Sequence, residues 1–385
     1  MSQFQFQTVA NIISGLGSVQ ELRPILKEKK YKRVLLVTDR GMVANQLHTP
    51  IIEILEASNT PYIIYADVQA DPPEHIVLSA VAFAKDHHVD AVIGFGGGSS
   101  LDVAKLIAIL ADPLQTQSLT DIYGVNNVKP PRLPLIVIPT TAGTGSEVTP
   151  ISIVTTGDTT KTGIVSPILY ADIAILDAHF TLSLPAHITA ATGIDAMVHA
   201  IEAYTSKVKK NFYSDLLAKQ ALNLLNKNLK RVLADGSDAE ARQNMLLGSM
   251  LAGQAFANAP VGAVHALAYP LGGHYHVSHG HSNALVLVEV LKFNAVEAKR
   301  EYAELMQFID PFSKGNIDGL CDLFIDHMQG HLDQSGLPLK LSQMNIKHEH
   351  LTTVADDAML QTRLLQNNPR VMNHQHALEI YQAIY

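Results

Sequence analysis

Two residues with metal-binding side chains stand four apart in the apolar segment TGIDAMVHAIEAY, which covers residues 192–204. They are Asp195 and His199. Residues at this spacing lie on one face of an α-helix, so a carboxylate and an imidazole would stand side by side. An isolated pair of this kind is more often a hydrogen bond within a helix than a pair of metal ligands. Donors elsewhere in the chain are therefore needed to support a metal site.

A second segment, VHALAYPLGGHYHVSHGHSN, supplies further imidazoles. One carboxylate and three neutral imidazoles are a suitable tetrahedral ligand set for a divalent cation. Burying these groups without a cation would cost free energy. Spacing alone does not decide which three of the five histidines in the segment complete the set: His265, His274, His276, His279 and His281.

The segment AVIGFGGGSSLDVAKLIAIL reads as a strand, a glycine turn and a helix. Its glycines 96–98 permit close backbone approach to a ligand. We expect Ser99 to cap the helix, with Asp102 completing an arrangement like a capping box. The N-terminus of such a helix attracts a pyrophosphate. A tight turn that binds nothing fits this glycine cluster about equally well when it is considered alone.

A second loop, IPTTAGTGSEVT, also follows a strand and contains hydroxyls at Thr140, Thr141 and Thr144. Ligands of parallel sheets bind at the carboxyl ends of the strands. Two such turns in one sheet favour a nucleotide site over two empty turns.

Asp39 ends the strand-like segment RVLLVTD. A carboxylate there suits an adenosine ribose and repels a 2′-phosphate, which favours NAD over NADP. The neighbouring Arg40 would suit a 2′-phosphate, so NADP stays possible. The acid precedes the glycines, whereas the standard dinucleotide fingerprint places it about 20 residues after them. The topology must therefore differ from that fold, unless Asp39 only forms a turn before Gly41.

The pattern of elements changes near residue 185. Short β-branched runs alternate with helical stretches from about 30 to 180, including helices at Thr49 to Ala57 and Glu74 to Lys85, which predicts a mainly parallel sheet covered on both faces. Long helical patterns then cover 193–206, 212–234, 238–256 and much of 296–385. We predict an α/β dinucleotide-binding domain over 1–185 and an all-helical metal-binding, catalytic domain over 186–385.

The composition excludes several classes of protein. The chain has 385 residues, 47% of them hydrophobic and 17% charged, with a net charge of -8, which argues against disorder and against nucleic-acid binding. No apolar run is long enough to span a bilayer, and no secretory signal is evident. Cys321 is the single cysteine, so we expect a cytoplasmic protein without disulfides and without a membrane partner.

Four motifs together, GGGSSLDVAK, PTTAGTGSEVT, TGIDAMVHAIEAY and the histidine segment, closely resemble the iron-containing (group III) alcohol dehydrogenases. The resemblance implies an α/β N-terminal nucleotide-binding domain plus an all-α C-terminal domain, as in dehydroquinate synthase. It also implies that the metal ligands are Asp195, His199, His265 and His279. The other three histidines would then lie in the site without binding the metal.

The resemblance also assigns positions around the metal and the cofactor. Phe256 falls where the family lines its substrate pocket, although a core aromatic fits equally well. The cofactor-binding positions implied are Asp39, Gly96, Gly97, Gly98, Ser99, Thr140, Thr141, Thr144, Lys161 and Leu182.

One position departs from the family. Many members carry a histidine near the nicotinamide where this chain has Tyr269. Tyrosine has an unperturbed pKa near 10, against roughly 6.5 for histidine, so it is a poorer proton acceptor near neutrality. We therefore consider both Tyr269 and His276 as catalytic candidates for proton relay.

The function implied is a metal-dependent oxidoreductase that transfers a hydride between an alcohol, or its aldehyde or ketone, and a nicotinamide cofactor. The cofactors expected are Fe²⁺, with Zn²⁺ possible, and NAD, with NADP possible. The family suggests a homodimer or a larger homo-oligomer. The alternatives are a dehydroquinate synthase-like lyase, a metal-independent reductase of the same superfamily and a non-catalytic nucleotide sensor.

Overall fold

The computed structural model of the protein describes residues 3–157 and 160–385. The chain divides into two compact units. We call residues 7–141 and 145–183 the sheet unit. We call residues 3–6, 142–144 and 184–385 the helical unit.

The sheet unit contains strands from two sheets, and its longer helices alternate with the strands of the larger one. Its strands are β1 (Asn11–Ser14), β2 (Val34–Val37), β3 (Tyr62–Tyr65), β4 (Ala91–Gly96), β5 (Gly124–Val125), β6 (Leu135–Pro139), β7 (Ile151–Thr156), β8 (Thr160–Val165) and β9 (Ile173–Leu176). Its α-helices are α1 (Leu22–Lys29), α2 (Arg40–Ala44), α3 (Thr49–Ala57), α4 (Glu74–Asp86) and α5 (Gly98–Leu110). Short 3-10 helices cover Ser18–Glu21, Thr120–Ile122, Ser146–Val148, Pro167–Leu169 and Ala178–Thr181.

The larger sheet is parallel throughout its described strands, in the order β1-β9-β6-β4-β2-β3. Strands β2, β4, β6 and β9 are buried along their whole length. Their runs of valine, isoleucine and leucine fit this position, because a parallel sheet is covered on both faces. The alternating pattern of the first half therefore predicted the sheet correctly, and α3 has the predicted bounds.

The expected cap at Ser99 is wrong. Helix α5 begins one residue earlier, at Gly98, and its N-cap is Gly97 with extended backbone and no side-chain cap. The Ser99 hydroxyl instead accepts a hydrogen bond from the backbone N–H of Asp71 at 3.3 Å. Asp102 accepts from the backbone N–H of Ile153 at 2.9 Å and so bonds to β7 instead of its own helix start. The bare N-terminus leaves backbone N–H groups of α5 without a side-chain cap.

The helical unit is built from long helices and contains the second half of the chain. Its helices are α6 (Ala186–Thr205), α7 (Phe212–Ala234), α8 (Ala239–Asn258), α9 (Ala263–Tyr275), α10 (His279–Ile309), α11 (Ile317–Asp333), α12 (Leu351–Met359), α13 (Thr362–Leu365) and α14 (His374–Ala383). Two 3-10 helices cover Leu341–Met344 and His348–His350. The predicted fold class, an α/β first part followed by a helical second part, is confirmed.

Helix α6 lies at the centre of this unit, because nearly every residue from Thr189 to Thr205 is buried. Two glycines let neighbouring helices approach closely. A Cβ at Gly280, in the first turn of α10, would lie 2.2 Å from the carbonyl oxygen of Ala191. A Cβ at Gly193 would lie 2.7 Å from Leu229 of α7. Gly280 thereby lets the start of α10 pack directly against the backbone of α6 at Ala191.

Within the described residues, none of the helices has the length and apolar character needed to cross a membrane.

Candidate metal centre and glycine-rich turn

The buried face of α6 carries three polar side chains in register. Asp195, His199 and Glu202 are spaced by four and then three residues, which places them on one face of the helix. All three are at most 5% exposed. Groups of this polarity are buried only when they have partners.

Four side chains from α6, α9 and α10 converge on one point. Asp195 Oδ1 lies 3.9 Å from His199 Nε2, 3.7 Å from His265 Nε2 and 3.5 Å from His279 Nε2. The four donor atoms all lie within 4.8 Å of one another. These separations and donor types match those of a tetrahedral divalent-metal site.

The hydrogen bonds of two rings determine which nitrogens face this point. The Nδ1 atom of His265 lies 2.6 Å from Glu202 Oε2, and the Nδ1 atom of His199 lies 3.2 Å from the carbonyl oxygen of Gly143. Both partners are acceptors, so each Nδ1 carries the proton and each Nε2 carries a lone pair. The two Nε2 atoms are 3.0 Å apart. Two lone pairs cannot satisfy one another, so the arrangement fits a bound cation.

The electrostatics of the centre favour the ligand forms of these groups. Burial lowers the pKa of His199 to about 3, which keeps this imidazole neutral. Burial also acts to raise the pKa of Asp195, but the surrounding histidines and Asn283 outweigh it, and the pKa lies below its ordinary value. Asp195 is therefore an anion near neutrality.

Asn283 is a further polar residue in contact with the cluster. It lies one turn after His279 on α10, and its Nδ2 donates to Asp195 Oδ1 at 2.6 Å. The same nitrogen is 3.4 Å from Nε2 of both His265 and His279. Its Oδ1 is buried without a hydrogen-bond partner among the described residues. Asn283 therefore orients the carboxylate from the side of α10.

Two aromatic side chains border the cluster. The ring of Phe256, on α8, stacks on His199 with centroids 4.3 Å apart and an interplanar angle of 19°. The ring of Tyr269, on α9, lies 5.9 Å from that of His279. The structure thus brings both residues to the four donors.

The remaining histidines of the segment bond elsewhere. His274 pairs with Asp357 of α12, and His281 Nε2 donates to the carbonyl oxygen of Pro338 at 2.6 Å. His276 ends α9 in the left-handed conformation and is exposed. We expected all three histidines to lie in the site without binding the metal. The contacts of His274 and His281 do not support this expectation for those two residues.

In the sheet unit, the predicted cofactor residues meet at the carboxyl ends of β2, β4 and β6. Asp39 follows β2 and caps α2 by accepting from the N–H of Met42 at 3.0 Å. Gly96 ends β4 with φ +146°, and a Cβ there would lie 2.7 Å from Ser100 Oγ and 3.6 Å from Asp39 Oδ2. Only glycine fits this position. The chain thus leaves room beside the Asp39 carboxylate.

The threonine loop lies at the same end of the sheet. The N–H of Thr140 donates to the carbonyl oxygen of Gly96 at 2.9 Å. A Cβ at Gly97 would lie 3.7 Å from Thr141 Cγ2. The hydroxyl of Thr140 is buried and has no hydrogen-bond partner within residues 3–157 and 160–385. An unpartnered hydroxyl beside a glycine turn and an uncapped helix fits a phosphate-bearing ligand.

The other predicted cofactor positions have varied surroundings. Lys161, on β8, forms an ion pair of 2.6 Å with Asp71. Leu182 follows the 3-10 helix Ala178–Thr181. Thr144 belongs to the helical unit, next to the Gly143 carbonyl that accepts from His199.

Sequence reasoning missed Glu202, Asn283 and the carbonyl of Gly143. The signal for Glu202 was present, because it continues the Asp195–His199 face at the next helical position. Asn283 had the same kind of signal, at four residues after His279. Gly143 had none, since a backbone acceptor 56 residues away from His199 leaves no side-chain pattern.

The sequence matches two models of one protein family. The family model described as iron-containing alcohol dehydrogenase matches residues 10–178, and the C-terminal model of the same family matches residues 189–385. Long-chain-alcohol dehydrogenase 1 of Geobacillus thermodenitrificans is 38% identical over 379 residues, covering 96% of this chain and 94% of its own. The NAD-dependent methanol dehydrogenase of Bacillus methanolicus is 32% identical over 374 residues, covering 96% of each chain.

Among solved structures, a 1,3-propanediol oxidoreductase superposes with a TM-score of 0.95 at 30% identity, covering 100% of both chains. The two family models match most of the chain, in the order of its two parts. The protein therefore belongs to the iron-containing alcohol dehydrogenase family, whose members are oxidoreductases that act on alcohols.

Proposed function

We propose that Asp195, His199, His265 and His279 bind one divalent metal, iron(II) by the description of the family, and that the protein oxidises an alcohol with NAD or reduces the corresponding carbonyl compound with NADH. The observation that carries the proposal is the convergence of four donors in which two imidazole lone pairs face each other at 3.0 Å. When bound, such a metal supplies Lewis acidity to a substrate oxygen. Zn²⁺ accepts the same ligands.

The chain's own residues prepare the site for this chemistry. Glu202 and Gly143 hold two rings in the orientation that a metal requires. Phe256 covers one face of His199, and we assign it to the substrate pocket because its ring lies beside the proposed metal ligands. Tyr269 presents a phenol beside His279 and can donate a proton or a hydrogen bond. His276, exposed at the C-terminal end of α9, is the alternative relay residue, proposed from its nearness in sequence.

We assign NAD to the sheet unit, where Asp39 takes the ribose and glycines 96–98 with Ser99 take the pyrophosphate. Thr140, Thr141, Lys161 and Leu182 of the same unit are further proposed contacts, and Thr144, which the family resemblance also assigns to the cofactor, belongs to the helical unit. The Bacillus methanolicus relative is named for NAD dependence. Arg40 donates to Asp67 at 2.7 Å, so its guanidinium already has a carboxylate partner. This pairing favours NAD over NADP, because a 2′-phosphate would have to compete with Asp67.

The charged residues disfavour the lyase alternative. A sugar-phosphate-like acid needs cations that face it. Lys105 is fully buried and donates to Ser146 Oγ at 2.8 Å and to the Ile151 carbonyl oxygen at 2.7 Å. Lys161 is paired with Asp71 and is assigned above to the cofactor, so it is not a cation for such a substrate. The complete set of four donors likewise disfavours a metal-independent reductase.

We propose further that the protein is a cytoplasmic homo-oligomer. A buried, free Cys321 fits a reducing compartment. The oligomeric state rests on the resemblance to the family.

An anaerobic assay tests the proposed function. Metal-stripped protein is reconstituted with Fe(II) or Zn²⁺ and assayed with NAD and a series of short and long primary alcohols. We expect NAD reduction that a chelator abolishes and added metal restores. His265→Ala should bind no stoichiometric metal while it retains NAD binding. Turnover that survives the chelator would favour the metal-independent reductase, and NAD binding without turnover on any alcohol or aldehyde would favour the sensor.

A further inference from the structure

Glu202 is a buried carboxylate that the proposed reaction does not use. It lies on α6, one helical position beyond Asp195 and His199, and is 5% exposed. Burial of a charge on a helix face is costly unless both oxygens have partners. The hydrogen-bond partners of its two carboxylate oxygens therefore indicate the role of Glu202.

Both oxygens accept hydrogen bonds from the start of α9. Oε2 accepts from Nδ1 of His265 at 2.6 Å, and Oε1 accepts from the backbone N–H of Val264 at 2.7 Å. Helix α9 begins at Ala263, and its N-cap Gly262 provides no side-chain acceptor. The N–H of Val264 is one of the donors that a helix start leaves unpaired. The Glu202 side chain thus caps α9 and orients the ring of His265.

From these contacts we infer that Glu202 is a positioning residue that fixes which nitrogen of His265 faces the metal; this inference rests on the proposed metal site. A carboxylate on Nδ1 keeps the proton on that nitrogen, leaves the lone pair on Nε2 and makes Nε2 a stronger donor. Glu202 also adds a second negative charge to that of Asp195 near a divalent cation.

The same geometry explains why an amide cannot replace the carboxylate. Glutamine has one acceptor oxygen and one donor nitrogen, whereas His265 and Val264 both present N–H groups. In Glu202→Gln one of these donors must face an NH₂ group. Either the ring takes the other tautomer, with its proton on Nε2, or the ring turns, or the first turn of α9 shifts, and each of these changes weakens Nε2 as a metal ligand.

Cobalt binding tests the inference on the full chain. Metal-free wild type, Glu202→Gln and the control Glu304→Gln are titrated with Co²⁺ against a competing chelator, and the visible d–d spectrum is recorded. Glu304 makes the control matched, because it also bonds a side chain of α6, the Tyr204 hydroxyl. We expect Glu202→Gln to bind Co²⁺ about 10–100-fold more weakly with an altered spectrum, and Glu304→Gln to bind as wild type does.

A double variant separates the positioning of His265 from a general loss of structure. His265→Ala should retain only weak, substoichiometric Co²⁺ binding, and adding Glu202→Gln in that background should weaken it no further, because the ring that Glu202 orients is gone. Equal affinities and spectra for wild type and Glu202→Gln would overturn the inference, as would an effect of the same size in the His265→Ala background. Wild type that binds no Co²⁺ would overturn the metal site itself, which is a distinct result.

Discussion

Asp39 has two roles at the level of single residues. Its carboxylate caps α2, and it also lies beside Gly96, where we place the adenosine ribose. Loss of the cap should cost little stability, because glycine is tolerated at an N-cap at a cost of a few tenths of a kcal/mol. Exchange to glycine therefore separates the two roles.

We predict that Asp39→Gly raises the ratio of kcat/KM for NADP to that for NAD by at least about tenfold, since the carboxylate no longer repels a 2′-phosphate. Steady-state kinetics with both cofactors and one alcohol measures this ratio. The thermal midpoint should change little. A ratio equal to that of wild type would remove Asp39 from the adenosine site.

The single residues also show what a sequence can reveal about a site. Asp195 and His199 were predictable because helical spacing places them on one face. His265 and His279 were chosen from five histidines only through the family resemblance, since spacing does not tell which rings turn inward. Partners such as Gly143 depend on tertiary folding and carry no local pattern.

At the scale of elements, the candidate metal centre depends on how closely α10 approaches α6. Gly280 follows His279 directly, and any Cβ there would overlap the backbone of Ala191 at 2.2 Å and approach Asp195 Cβ at 3.3 Å. Two of the four proposed ligands are therefore set by one close helix contact.

We predict that Gly280→Ala destabilises the metal-free protein by about 1–3 kcal/mol, because backbone must move to admit the methyl group. It should also weaken metal binding, since His279 moves with α10. Urea unfolding and metal titration measure the two effects. The control Gly330→Ala lies on α11, where a Cβ meets nothing within 4 Å, and should gain roughly 0.5–1 kcal/mol from helix propensity. If both variants behave alike, close packing at Gly280 is not what positions the ligands.

The elements were predictable where periodicity was strong. The buried strands β2, β4, β6 and β9 and the long helices α7 and α8 follow from runs and repeats of apolar residues. The antiparallel pair β7 and β8 was missed, because its threonine-rich sequence resembles a turn and its register depends on pairing. The cap of α5 was misplaced because Ser99 has a tertiary partner, Asp71, that local pattern does not reveal.

At the scale of the whole molecule, partly buried histidines away from the candidate metal centre make stability depend on pH. His327 and His331, one turn apart on α11, contact the same oxygen, Asn226 Oδ1 of α7, at 2.6 and 2.7 Å. Burial, with a contribution from His327, lowers the pKa of His331 to about 4. Between about pH 4 and the unfolded value of roughly 6.5, the unfolded chain binds more protons than the native one, so stability falls as the pH falls.

We predict that lowering the pH from 7 to 5 reduces the free energy of unfolding of metal-free protein by roughly 1–2 kcal/mol through His331. His331→Gln should lose this part of the pH dependence, whereas the exposed His75→Gln should keep it. Urea midpoints at both pH values for the three proteins measure the difference. An unchanged pH dependence in His331→Gln would show that this ring is not buried as a neutral group.

The central claim is that Asp195, His199, His265 and His279 bind one metal ion, and anomalous diffraction at the iron edge tests it most directly. Crystals of the protein reconstituted anaerobically with Fe(II) should show one strong anomalous peak per chain, bounded by Asp195 Oδ1 and the three Nε2 atoms. The peak should vanish in His265→Ala crystals prepared in the same way. A peak outside these four atoms, or one of equal height in the variant, would contradict the account.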